Sequence, residues 1–151
     1  MDAQPQFVPC FTVYTLMELR RKPGLFEKFV EHFQSAAVSG IERYELPDSA
    51  REDYLSAYEG DRFVESMRYV RAYPKELPIL AELLPQIETP VEIIGGLWDW
   101  AVPPSNHRYL HQRLPKSKLD LIDAGHFTWE DAPEEYAEIV TSWWAGGHAE
   151  V

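Results

Sequence analysis

Two kinds of hydrophobic spacing divide the chain. From residue 1 to about 75 the apolar positions recur with a helical period. Leu25, Phe26, Phe29, Val30, Phe33 and Ala37 make one stripe, entered after Pro23-Gly24 and left before Gly40. A second helix is predicted to start at Ser49, where Ser49-x-x-Glu52 fits a capping box and Gly60 stands where a C-terminal cap would. A third begins near Asp61, places Phe63, Met67 and Val70 on one face, and breaks at Pro74.

Beyond residue 86 the pattern changes to short apolar runs alternating with helical stretches. Pro90 precedes Val91-Glu92-Ile93-Ile94, a buried strand expected to end at Gly95-Gly96. Ser105 to Leu114 reads as a short helix stopped by Pro115, and Leu119 to Ile122 as a second strand. The last helix is expected to open with Asp131-x-x-Glu134, with Pro133 in its first turn, and to stop at Gly146-Gly147. Glu130-Asp131 accordingly reads as helix capping. Helices followed by strand–helix–strand–helix make an α/β fold, in which the two strands lie parallel and are joined by a crossover helix.

Composition narrows the setting. A formal charge of −11, from 14 Lys+Arg against 25 Asp+Glu, repels phosphate backbones and anionic lipid, so neither nucleic acid nor a membrane is expected as partner. No run approaches the roughly 20 apolar residues of a membrane helix, and Met1-Asp2-Ala3-Gln4 does not open like a signal peptide. Cys10 is the single cysteine, so no intrachain disulfide forms, and a reduced, cytoplasmic location is expected.

Open α/β sheets carry their reactive groups just past the C-terminal ends of the strands. Asp99 follows the first strand in Gly96-Leu97-Trp98-Asp99, and His126 follows the second in Gly125-His126-Phe127. If the strands are adjacent and parallel, both loops open at one sheet edge. A histidine base needs one ring nitrogen free and an acid on the other to hold its tautomer. Trp100 and Phe127 flank the pair and are candidates to line an apolar substrate pocket. His107 and His111 stand at metal-ligand spacing, but no third ligand accompanies them, so neither a metal nor another cofactor is expected.

The stretch Leu83 to Trp144 resembles the C-terminal end of α/β-hydrolases. The resemblance rests on Leu84 to Val91, then Gly96-x-x-Asp99-x-x-Val102-Pro103-Pro104 and Leu110-x-x-Arg113-Leu114-Pro115. Ile122-Asp123-Ala124-Gly125-His126-Phe127, Glu130-x-Ala132-Pro133-Glu134-x-Tyr136 and Trp143 complete it in the family's order, with 27 positions from acid to histidine. It implies that Asp99 is a triad acid and His126 the base. It also implies a partial α/β-hydrolase fold, with a helical lid over 1–75 and the C-terminal part of the core, including the last two parallel strands, over 76–151. Tyr54 to Pro74 is also similar to the end of the lid in the epoxide-hydrolase and haloalkane-dehalogenase branch.

One departure is large. Such enzymes take their nucleophile from a G-x-[SDC]-x-G turn. The glycines at 24, 40, 60, 95, 96, 125, 146 and 147 provide no pair four apart. The expectation is therefore a truncated or split hydrolase acting on a small apolar ester, epoxide or halide, and nearly inert without its nucleophile. The alternative is a non-catalytic docking or dimerisation module. In either case the first strand would have lost one neighbour, an apolar edge that a second chain or another copy would cover.

Overall fold

The computed structural model describes residues 41, 44–57, 59, 60, 62, 65 and 67–151. The helix expected over 25–37, Cys10, and most of the region read as a lid lie outside them. The chain divides into two compact units, one containing Leu46–Pro78 and the other Ile79–Val151.

In the first unit, helix α1 spans Asp48–Ser56. It starts where Pro47, held in an extended conformation, offers its carbonyl to the Arg51 N–H at 3.0 Å. The capping box at Ser49 does not form. The helix begins one residue earlier, which puts Ser49 inside the first turn, and no side chain caps the end. Asp48, in that first turn, complements the helix dipole. Gly60 has the left-handed φ of +62° but lies in the loop, four residues past the end of the helix. Arg62 and Glu65 are helical, and Met67–Ala72 is a 3-10 helix; Asp61 and Phe63 of the expected third helix lie outside the described residues.

Pro74 does not break the chain there. Helix α2, Tyr73–Leu83, contains both Pro74 and Pro78. Proline in a first turn loses only an N–H that has no partner in the helix anyway. Pro78 does remove an interior bond, but both prolines are exposed, so water can reach the carbonyl left over.

The second unit holds the strand–helix–strand–helix run: β1 (Val91–Gly96), α3 (Pro104–His111), β2 (Ser117–Ile122), the short α4 (Thr128–Asp131) and α5 (Pro133–Trp144). The strands are parallel as expected, in a register running from Val91↔Ser117 to Gly96↔Ile122. Among the described residues β1 pairs with no other strand. Alternation sends β1 side chains to both faces. Ile93 and Val91 join Leu84, Leu114, Tyr109 and Leu110 on the α3 side. Ile94 packs with Ile122, Ala132, Tyr136 and Ile139 on the α5 side. Removing a side chain such as Ile93 from water contributes about 2 kcal/mol.

β1 ends at Gly95-Gly96 as expected, but takes both glycines in as its last two residues, and both are buried. Their lack of a side chain serves close approach. A Cβ at Gly95 would stand 2.7 Å from the His107 ring, and one at Gly96 would run into the carbonyl oxygens of Ala124 and Gly125.

Glu92 interrupts the apolar run. Its side chain is only 7% exposed, and neither carboxylate oxygen has a hydrogen bond. The Lys118 ammonium lies 3.6 Å away but is bonded at 2.6 Å to Asp120. Burial and the neighbouring Asp120 raise the Glu92 pKa against the pull of Lys118. An acid whose folded pKa is raised contributes stability at low pH that is lost as pH rises through that pKa. Glu92→Met is therefore expected to stabilise the chain by about 1 kcal/mol at pH 7, with a smaller gain at pH 4. Paired thermal melts at the two pH values check this.

Candidate active site

The loops after β1 and β2 continue the strand pairing beyond the strand ends. Leu97 N–H donates to the Ile122 carbonyl at 2.9 Å and Trp98 N–H to Ala124 at 3.0 Å. Asp99, next in line, turns its buried carboxylate back over its own loop. Its Oδ1 accepts the N–H groups of Ala101 and Val102, both at 2.8 Å. This side chain-to-backbone turn fixes the carboxylate before any partner arrives.

His126 meets it from the second loop, with Nδ1 2.9 Å from Asp99 Oδ2 and 3.1 Å from Oδ1. Burial pushes the Asp99 carboxyl up, but hydrogen bonds from His126, Val102 and Ala101 outweigh it and hold the group below its ordinary value. An ionised carboxylate only accepts, so the proton between the two groups belongs to Nδ1. In the neutral form of the ring this leaves Nε2 with its lone pair. The Asp99 side chain is 5% exposed and that of His126 37%, so the carboxylate is shielded while the imidazole faces outward. The arrangement can take a proton at Nε2 and stabilise the resulting imidazolium through Asp99.

The flanking residues differ in placement. Phe127 is half-buried, with its ring edge-on to His126 at 5.3 Å and to Trp129 at 5.5 Å. Trp100 is exposed. The two helix histidines part company. His111 Nδ1 pairs with Ser117 Oγ at 2.9 Å, whereas the His107 ring lies against Gly95 with Nδ1 buried and without a hydrogen bond. Burial lowers the His107 pKa against the attraction of Asp99 and the Pro103 carbonyl. Among the described residues no three His, Cys, Asp or Glu side chains gather as a metal site would need. No helix among them is long and apolar enough to cross a membrane.

Asp131 corrects the capping assignment. Helix α5 has no side-chain cap and follows Ala132. Asp131 instead ends α4 and is buried, its Oδ2 accepting the Gly125 N–H at 2.6 Å. It therefore fixes the backbone that carries His126. Sequence offered one faint signal, an acidic side chain close after Gly-His, and the capping pattern explained it away. Removing this acceptor would leave a buried N–H unsatisfied. Asp131→Ala is expected to cost about 1–3 kcal/mol, and Asp131→Asn, which keeps an acceptor oxygen, clearly less. Urea unfolding of the two variants measures the difference.

No family model matches the sequence, and no curated protein does. Solved structures do. The chain is similar to an esterase (EaEST) from Exiguobacterium antarcticum at 20% identity and a TM-score of 0.65, over 87% of this chain and 46% of that one. A thermophilic esterase from Thermogutta terrifontis gives 20% identity and 0.60, over 91% and 49%. A serine hydrolase involved in carbazole degradation (CarC enzyme) gives 16% and 0.55, over 68% and 41%. The chain thus spans about half the length of the solved structures it matches. With two parallel strands, a crossover helix and the Asp99 and His126 loops at one sheet edge, the chain has a partial α/β-hydrolase fold.

Proposed function

We propose that Asp99 and His126 are the acid and the base of a hydrolase triad whose nucleophile lies outside these 151 residues. The observation that carries this is the 2.9 Å contact between His126 Nδ1 and a buried Asp99 locked by its own loop. In the reaction, Nε2 accepts the proton of the nucleophile as that group attacks the substrate carbonyl, then returns it to the leaving group. Asp99 holds the tautomer and offsets the charge on the imidazolium.

The similar structures are esterases and a serine hydrolase, which supports a serine nucleophile and an ester over an epoxide or a halide. Phe127 and Trp100 are proposed to contact an uncharged, largely apolar substrate. Without a nucleophile the residual rate would come from binding and orientation alone, and the isolated chain is expected to be nearly inert.

The test supplies a G-x-[SDC]-x-G segment, either encoded upstream in the same reading frame or on a separate chain, and follows p-nitrophenyl butyrate hydrolysis. Activity with the segment, lost on His126→Ala, supports the triad. Activity indifferent to His126 would sink it. Self-association or partner docking that also ignores His126 would instead favour a non-catalytic module on the edge of β1 that has no partner strand among the described residues.

A further inference from the structure

Asp99 is fixed to its own loop through Ala101 and Val102, and Gly125 is fixed to α4 through Asp131. Each half of the dyad is therefore rigid within itself. What remains to be set is the position of one loop against the other. Two backbone bonds contribute, from Leu97 to Ile122 and from Trp98 to Ala124. A third tie is made by side chains: the Trp98 indole Nε1–H donates to Asp123 Oδ1 at 2.6 Å. Trp98 immediately precedes Asp99, and Asp123 stands three residues before His126.

Among the described residues the Trp98 side chain makes no other hydrogen bond. It is 61% exposed, so burial is not what holds it. Its indole is a planar arm with a single donor at a fixed position, and the carboxylate it meets makes the bond charge-assisted and short. We propose that Trp98 and Asp123 form a clamp between the loops that holds Asp99 and His126 at bonding distance, acting as positioning residues. This rests on the triad reading above but adds a pair of residues to it, and it is tested without turnover.

The readout is the solvent-exchange rate of the His126 Nδ1 proton, followed by NMR on the ¹⁵N-labelled chain, with Asp99→Asn as the control that removes the bond. Trp98→Phe and Asp123→Ala are each expected to speed exchange about 3–10-fold, the scale of the net contribution of one intramolecular hydrogen bond. The double variant should exchange no faster than Asp123→Ala alone, because Trp98→Phe removes a contact that Asp123→Ala has already removed. Asp123→Asn, which keeps an acceptor oxygen but not the charge, should fall between the parent and Asp123→Ala.

Rates that multiply in the double variant, or rates unchanged while Asp99→Asn abolishes the signal, would overturn the clamp. So would loss of the far-ultraviolet spectrum in either single variant, because the pair would then support the fold and not the dyad. An esterase activity independent of His126 would remove the triad reading and leave the exchange result standing.

Discussion

Alanine at position 126 is expected to lower kcat/KM of the completed hydrolase by about 10⁴–10⁶-fold, because members of a triad act as a unit. Asp99→Asn should come close, at about 10⁴-fold, although it preserves shape. An asparagine amide turned toward Nδ1 donates where the carboxylate accepted. The ring answers by moving its proton to Nε2, which leaves no lone pair facing the nucleophile. The Asp99 carboxylate is held below its ordinary pKa, so it stays ionised across the neutral range. The sign for folding follows. An acid with a lowered folded pKa contributes stability above its unfolded value and loses it as pH falls through the folded one. Stopped-flow or steady-state assays of the parent, His126→Ala and Asp99→Asn would rank the three. Equal activity in Asp99→Asn and parent would mean that the acid does not orient the base.

The meeting of Asp99 and His126 is legible in the sequence because each stands just past an apolar run, and the resemblance to α/β-hydrolases implies that the two belong together. A strand written as an apolar run ends, and the polar groups in the loop just past it stand at the sheet edge. The parallel pairing and the crossover helix followed from the same alternation. Features set by distant parts of the chain were less accessible. Asp131 fits a helix cap on local grounds, yet its carboxylate is taken by Gly125, six positions back. Gly95 and Gly96 read as terminators because glycine usually weakens a strand. Only the opposing elements reveal that His107 and the Ala124–Gly125 backbone leave them no room for a side chain. Helix α2 was missed for a related reason: Pro74 and Pro78 forbid a bond each, but neither forbids a helix at an exposed position.

Gly96→Ala should be the most damaging single substitution in the core of this unit, at about 3 kcal/mol or more, or roughly 10 °C in melting temperature. Its backbone has ordinary negative φ, so alanine is conformationally permitted and would by itself stabilise slightly by restricting the unfolded chain. The steric conflict decides the sign. The added methyl meets carbonyl oxygens of Ala124 and Gly125, which are main-chain atoms, and Gly125 is tied down by Asp131. Relief requires moving the loop that carries His126, so the Nδ1 contact to Asp99 should weaken in the same variant. Gly95→Ala provides the contrast. There the obstruction is the His107 ring, a side chain, at 2.7–2.8 Å. Trimming it in Gly95→Ala/His107→Ala should recover about 1 kcal/mol or more of the Gly95→Ala loss, whereas His107→Ala should not rescue Gly96→Ala. Thermal melts of the five variants test both statements. A Gly96→Ala chain that melts with the parent would mean that the two loops are not packed against β1 as closely as the strand register requires.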